Sequence, residues 1–434
     1  MPDLLHPRAA PAAPIAHAAA TAPAAPAPAP ALPVAAIAAL ALAALATGMA
    51  MRLADPLLPR LAREFSVSLG QVSQVITVFA VAYGLAQLLF GPLGDRFGKY
   101  RVIGWACAAS ALTSLACALA QGLPSLMLAR LAAGTSAAAV IPLAMAWIGD
   151  VVAYERRQAV LARFLIGQIT GFALGVWAGG YAAEHLDWRS PFFAVAGLFA
   201  LAALVLQIVR RRLPAGAARP APGPGNAVQR ALREFAAVLA LPWARVVLLT
   251  VLLEGACLYG PFAFIASHLH LRFGLPLSTV GALVMGFAAG GLCFALSAPV
   301  LVRRLGEVAL VRSGSLLMAA ALLTLAVAPA WGWAVPACIT LGLGFQMMHN
   351  TLQTHATQMA PERRGAAVAA FACCLFLGNA MGVALAGALV GAVGTGWVMV
   401  AGAAGLPAVA WQFNRQRRLA TKRRQQADAA HARQ

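Results

Sequence analysis

The sequence predicts an all-α membrane protein of about twelve transmembrane helices in two homologous six-helix halves. Three observations carry that prediction. Of 434 residues, 61% are apolar and 10% charged, against about 45–50% and about 25% in soluble globular chains. Twelve apolar windows are each long enough, at about 20 residues, to cross about 30 Å of hydrocarbon. Features of the first half also recur in the second at a constant offset of 207 residues.

Residues 1–32 are mostly Ala and Pro. They cannot bury a core and are expected to form a disordered cytoplasmic tail. The apolar run that follows is long enough to span and is followed by further spans, so it reads as an uncleaved first helix at 33–53. The next windows fall at 70–90, 101–120, 124–148, 160–182 and 190–209. A second set lies at 246–266, 278–300, 309–329, 331–353, 367–390 and 395–413. Each must be a helix, because lipid offers no partner for free backbone groups. The one long internal connection, 210–245, opens with Arg210-Arg211-Arg212, turns Pro/Gly-rich from Pro214 to Gly225, and continues as an amphipathic stretch from Val228 to Trp243. It reads as a cytoplasmic linker with one surface helix, joining a half at 33–209 to a half at 246–413. Residues 414–434 form a basic cytoplasmic tail.

Charge orients the chain. The formal net charge is +19. With the tails and the loops after spans 2, 4, 6, 8 and 10 on one side, that side holds 26 of the 32 Lys and Arg. The other six are Arg52, Arg60, Arg63, Arg130, Arg189 and Arg272. The positive-inside rule then makes both termini cytoplasmic in a multi-pass protein of a bacterial-type inner membrane. The basic residues sit in short clusters between apolar runs rather than on a solvated fold, so no nucleic-acid partner is expected. All seven cysteines lie inside apolar runs without a CxxC spacing and read as small buried hydrophobes. His268 and His270, at i and i+2 on a helix, point apart and do not suggest a metal site. No P-loop, GxSxG or HExxH occurs, so neither an enzyme nor a bound cofactor is expected.

The repeat is more informative than any single motif. At the 207-residue offset Pro92 meets Pro299, Arg96 meets Arg303, and Glu155-Arg156-Arg157 meets Glu362-Arg363-Arg364. Gly171, Gly175 and Gly180 meet Gly378, Gly382 and Gly387. Both halves share one topology, which implies an axis along the membrane normal and a binding site near the midplane between them.

Several spans carry groups that lipid does not tolerate. Glu254 lies near the middle of span 7, either as a proton carrier or cation binder or as a protonated structural hydrogen bond. Arg130 lies in span 4, about six residues from the outer end, where its head either works in the protein interior or partly snorkels to water. Asp55 follows Arg52 by three residues at the outer end of span 1, where the two either pair or mark the interface. In span 10, Gln346, Asn350 and Gln353 share a helical face with His349 beside them. Such a stripe lines a cavity or bonds between helices. Gln168 and Asn379 are further polar groups inside spans. Gly167, Gly171, Gly175 and Gly179 form a small-residue face on span 5, suited to close helix packing, and Gly378 and Gly382 repeat it on span 11.

Between spans 2 and 3 runs Gly91-Pro-Leu-Gly-Asp-Arg-Phe-Gly-Lys-Tyr-Arg101. It resembles the signature loop of the major facilitator superfamily. That resemblance implies a conformational latch formed by Gly91, Gly94, Asp95, Arg96, Gly98, Lys99 and Arg101, with Asp95 placed before helix 3 to engage a helix N-terminus. The second copy, from Ala298 to Glu307, lacks the acid that would match Asp95. Arg130-Leu-Ala-Ala-Gly134 is similar to the superfamily's arginine motif in helix 4. The span 5 glycines resemble its antiporter motif, although Val176 follows Gly175 where the family has proline. The stretch from His349 to Ala367 resembles drug- and sugar-efflux-type proton antiporters. The resemblance implies a monomeric secondary transporter working by alternating access, driven by an ion gradient, with proton-coupled export of a small organic solute as the first expectation. An importer on the same fold is the nearest rival, and a transport-incompetent sensor the rival of another class.

Overall fold

A computed structural model describes residues 34–212 and 227–431. The expected N-terminal tail and the Pro/Gly-rich stretch from Pro214 to Gly225 lie outside these residues. The first half contains α1 (Val34–Arg52), the short α2 (Leu58–Glu64) and α3 (Leu69–Val72), α4 (Gln74–Phe97), α5 (Lys99–Ala118), α6 (Leu123–Ala137), α7 (Val140–Val151), α8 (Tyr154–His185) and α9 (Ser190–Arg212). After the linker helix α10 (Ala227–Ala240) come α11 (Pro242–Phe273), α12 (Leu277–Val284), α13 (Gly286–Val327), α14 (Ala334–Gln358) and α15 (Arg364–His431). No strand occurs among the described residues.

Among the described residues, nine stretches are long and apolar enough to cross a membrane. Two of them, Leu277–Val327 and Pro361–Lys422, break at Gly306 (φ 68°) and Gly394 (φ 80°), so each holds two spans. A residue with a Cβ is strained at these backbone angles. α14 is 25 residues long but diluted by Gln346, His349, Asn350, Gln353 and His355, and it supplies the twelfth span. The fourth span is divided between α6 and α7, a turn ahead of Pro142, whose ring clashes with the carbonyl four residues back.

The helices outrun the apolar windows. α4 continues to Phe97 and α8 runs from Tyr154 to His185. Hydropathy marks where lipid ends, whereas helical hydrogen bonding continues into water. This corrects the expectation for the signature segment. Gly91, Gly94, Asp95 and Arg96 lie in the last turns of α4, Gly98 (φ 89°) alone makes the turn, and Lys99 opens α5. Gly306 makes the corresponding turn in the second half, one residue away from the 207-residue register.

The small-residue faces pack. A Cβ at Gly167, Gly171 or Gly175 would strike the backbone oxygen of Ala41, Leu45 or Met49 on α1, and one at Gly179 that of Leu53 just after it. In the second half, Gly378 and Gly382 of α15 meet Leu252 and Ala256 of α11 in the same way. Each half therefore closes its first span against its fifth through glycine, and the close approach stands in for the hydrophobic drive that lipid does not supply. His268 and Arg272 of α11 cover the end of the second span of α13. His268 Nε2 lies 3.0 Å from Leu325 O and Arg272 Nη2 donates to Ala328 O at 2.8 Å. His270 Nδ1 instead meets Leu275 O at 2.7 Å, so the two imidazoles do point apart.

Candidate functional site

The bundle has two ends, one carrying the start of α1 and the end of α15 (the terminal face) and one opposite (the distal face). The extensive contacts between the halves join α8 to α12 and join α3 and α4 to α15. Several are backbone-close and distal. A Cβ at Gly180 would meet Leu277 O and Gly281, and one at Gly70 would meet Gly387 O. Glu184 accepts from the backbone N–H of Ser278 across the same seam at 2.9 Å. Toward the terminal face, α7 and α14 pack extensively only within their own halves. Asn350 and Thr354, on α14 toward that face, are exposed. The close backbone contacts between the halves are thus distal, while the linker helix α10 packs on α4 of the first half and on α11 and α15 of the second.

Glu254 lies twelve residues into α11, about 18 Å along its axis. It is 0% exposed. Its neighbour Gly255 lets α11 close on the backbone of Leu375 and Asn379 in α15, which turns the carboxylate toward α14. There Oε2 lies 3.0 Å from His349 Nδ1, while Oε1 has no partner among the described residues. The His349 ring is held between Phe345 (centroids 4.8 Å) and Phe371 (5.3 Å). The structure thus joins two separately expected residues, Glu254 and His349, across the α11–α14 seam. Gln346 lies beside Gly291, Gln353 is half-buried and Asn350 is exposed; a polar group in a span favours a cavity or another helix over lipid. Asn379 is buried with Oδ1 unpartnered among the described residues. Gln168 is half-buried, and its backbone carbonyl packs under Gly48.

A second cluster lies distally. Arg130 is 1% exposed and does not snorkel. It donates from Nη1 to Ala50 O (2.9 Å) and from Nε to Val75 O (3.3 Å), and its guanidinium covers Phe79 at 4.0 Å, so it ties α6 to α1 and α4. Asp55 is 2% exposed in the turn after α1 and pairs with Arg52 at 3.3 Å, so the pairing alternative holds rather than a water-facing marker. Burial raises its carboxyl to about 6, opposed by the Arg52 charge beside it. Arg52 in turn stacks on Tyr259 (4.2 Å) and Phe262 (5.0 Å) of α11. Tyr259 lies five residues beyond Glu254 on α11 and under the Arg52 guanidinium, so it stands between the two clusters. Sequence reasoning passed over Tyr259, because one aromatic among many in a span carries no signal.

The signature positions do not form one cluster. A Cβ on buried Gly94 would press on Leu143 of α7, and Lys99 Nζ pairs with Asp150 of α7 at 2.6 Å. Arg101 covers Trp105 and Arg96 covers Phe97. Gly91 meets open space. Asp95 is exposed and has no ion pair among the described residues, so the expected engagement of a helix N-terminus is absent there. The acid bound to this segment is Asp150, legible in the sequence only as an acid ending span 4. In the second half the charges reverse. Glu307, just after the Gly306 turn, pairs with Arg417 (2.5 Å) and His355 (3.4 Å).

Comparison with known proteins agrees with this architecture. Two proteins of Bacillus subtilis (strain 168) match most of the chain. An uncharacterized MFS-type transporter, YceJ, is 26% identical over 344 residues, covering 78% of this chain and 84% of its own length. Multidrug resistance protein 1 is 24% identical over 348 residues, covering 79% and 86%. Among solved structures, a bacterial homolog of the human lysosomal transporter Spinster, in an inward-facing conformation, superposes with a TM-score of 0.68 at 18% identity, covering 88% of this chain and 96% of that one. The nucleoside transporter NupG superposes with a TM-score of 0.70 at 15% identity, covering 88% and 98%. At these identities the likeness shows the fold. The family model for the Major Facilitator Superfamily matches residues 40–383, and the chain belongs to that superfamily of membrane transporters.

Proposed function

We propose that this protein exports a small organic solute in exchange for protons, by alternating access. The observation that carries the reading is Glu254, fully buried, bonded through one oxygen to His349 and unpartnered at the other among the described residues. A carboxylate at that depth is expensive to keep ionised without a cation. Taking up a proton, or the charge of a substrate, relieves it, and His349 supplies a second group through which the proton moves. The crevice beside the pair offers Gln346, Asn350, Gln353, Gln168 and Asn379 as polar contacts and phenylalanine rings as apolar ones, which suits an amphipathic solute. Arg130 and Asp55 act on the cycle from the distal side. With the basic loops cytoplasmic, the terminal face opens to the cytoplasm of a bacterial cell and the arrangement is inward-open. Energy comes from the proton gradient with no bound cofactor, the transporting unit is a monomer, and the latch role expected of Gly91, Gly94, Asp95, Arg96, Gly98, Lys99 and Arg101 works through the two of them that meet α7, Gly94 against Leu143 and Lys99 against Asp150. Export is favoured by the resemblance to a multidrug resistance protein. The fold by itself does not set direction, which keeps import as the second reading.

Everted membrane vesicles with an acidic interior, followed by a pH-sensitive dye, test it. Sugars, amino acids, hydrophobic cations and antibiotics are added one class at a time. Proton release evoked by one class, absent from vesicles without the protein and lost in Glu254→Gln, is the expected result. Proton release that survives Glu254→Gln overturns the assignment, and uptake into intact cells without export reverses the direction.

A further inference from the structure

We propose that Arg52 is the distal latch of the transport cycle, a buried cation of the first half clamped on two aromatic rings of the second. Its guanidinium lies 4.2 Å from the Tyr259 ring centroid and 5.0 Å from that of Phe262, both on α11, with Phe172 of α8 at 5.8 Å. It lines a small crevice with Val176, Phe262, Val284 and Phe287, so α1, α8, α11, α12 and α13 converge there. Other arginines stack on rings nearer to hand. Arg96, Arg101, Arg130, Arg189, Arg272 and Arg415 all cover rings of their own half.

The chemistry makes these contacts specific to one state. Arg52 is 6% exposed, and a guanidinium shut away from water needs its charge answered. Asp55 answers it from the same turn of chain and moves with it. Tyr259 and Phe262 answer it from the other half, and leave it when the distal ends part. Contacts made in one conformation and lost in the other set the balance between the two. The Glu184–Ser278 bond crosses the same seam but is exposed, so water replaces it at little cost. Arg52 is dry, and its ring contacts carry the larger share of the bias.

The latch rests on alternating access but not on Glu254, and the test separates the two. Hydrogen–deuterium exchange is measured by mass spectrometry on the purified full-length protein in lipid nanodiscs. Three regions are read: the distal segments 176–185 and 277–284, and the terminal-face segment 350–358. Arg52→Gln and Tyr259→Leu are expected to raise distal exchange and lower exchange at 350–358, a shift in the open-to-closed ratio of up to about 30-fold for a desolvated cation–π contact. Arg52→Lys, which keeps a cation over the rings, is expected to fall between wild type and Arg52→Gln. Tyr259→Leu leaves the Arg52–Asp55 pair intact, so it separates loss of the latch from an orphaned Asp55. Gly180→Val is the reference, because its side chain strikes Leu277 O and Gly281 and wedges the distal seam open whatever Arg52 does. If Gly180→Val produces the reciprocal change and the Arg52 and Tyr259 variants do not, the latch is wrong and alternating access stands. If exchange rises equally at both faces in the Arg52 and Tyr259 variants, the contacts are merely structural and the latch is equally wrong. If no variant, Gly180→Val included, moves the faces in opposite directions, alternating access itself fails.

Discussion

The contact between α11 and α15 sets where Glu254 sits, and a single methyl group tests it. In Gly378→Ala the new Cβ would lie against Leu252 O, two residues before Glu254, closer than any real carbon–oxygen contact. Such contacts open to about 3.3 Å, so the helices must separate by about 1 Å. A gap of that size forfeits a quarter to a half of each dispersion contact along the seam, and overpacking of this kind costs about 1–3 kcal/mol. The neighbouring glycines Gly382, on Ala256 O, and Gly255, on Leu375 O, leave α15 nowhere to slide. The matched control is Gly104→Ala in α5, where nothing lies within 4 Å of the new Cβ. There the substitution removes a poor helix former and stabilises by up to about 1 kcal/mol. The folded fraction remaining after heating in detergent, read by size-exclusion chromatography, should therefore fall for Gly378→Ala and hold or rise for Gly104→Ala. Equal or greater heat resistance in Gly378→Ala would refute the claim that glycine is there for close approach. Because the seam also orients Glu254 toward His349, the same variant should lose proton coupling more than it loses folding.

Other outcomes follow from the same contacts. Asp55 has a folded-state pKa of about 6, above its ordinary 3.8, so its contribution to stability is fully present below about pH 4 and is lost as pH rises through 6. Asp55→Asn should therefore gain on wild type by about 2–3 kcal/mol between pH 4 and pH 7.5, and a heat-resistance difference independent of pH would contradict this. Arg130→Ala empties a fully buried site that ties three helices together and should cost about 3–5 kcal/mol, whereas Arg60→Ala, losing a half-exposed 4.0 Å pair with Glu64, should cost less than about 1 kcal/mol. Heat resistance of the two variants side by side decides it. The Lys99–Asp150 pair is also partly exposed, so Asp150→Asn should change stability by less than about 1 kcal/mol. If the pair works as a latch, transport falls in Asp150→Asn and in Lys99→Asp and recovers when Lys99→Asp is combined with Asp150→Lys. No recovery in the exchanged double variant would leave the pair a solubility feature.

Much of this was legible in the sequence because lipid is a severe solvent. It leaves each 20-residue apolar window one conformation, so the twelve spans and their duplication could be counted before any coordinate was known. The same severity made Glu254 and Arg130 conspicuous, since an ionisable group in hydrocarbon needs a reason to be there, and Asp55 drew notice by following Arg52 at the outer end of the first span. The glycine faces were legible as packing faces from their spacing of four. The ends of α4 and α8 were not, because hydropathy reports the solvent around a helix and not its hydrogen bonds.

What only the tertiary structure decided is which of these groups meet. His349 could have faced Gln346's neighbours on α13; it faces Glu254 because Gly255 and Gly378 draw α11 and α15 together and leave the carboxylate only α14. Asp95 resembled the working acid of the signature segment, yet Lys99 turned to Asp150, because α4 runs on to Phe97 and carries Asp95 out to the surface. Tyr259 had no signal in the sequence at all and became the ring beneath Arg52. A sequence lists which charges and rings a membrane chain must accommodate. Partners separated by 95 residues, as Glu254 and His349 are, are chosen by the close approach of backbones, and that is a property of the packed helices alone.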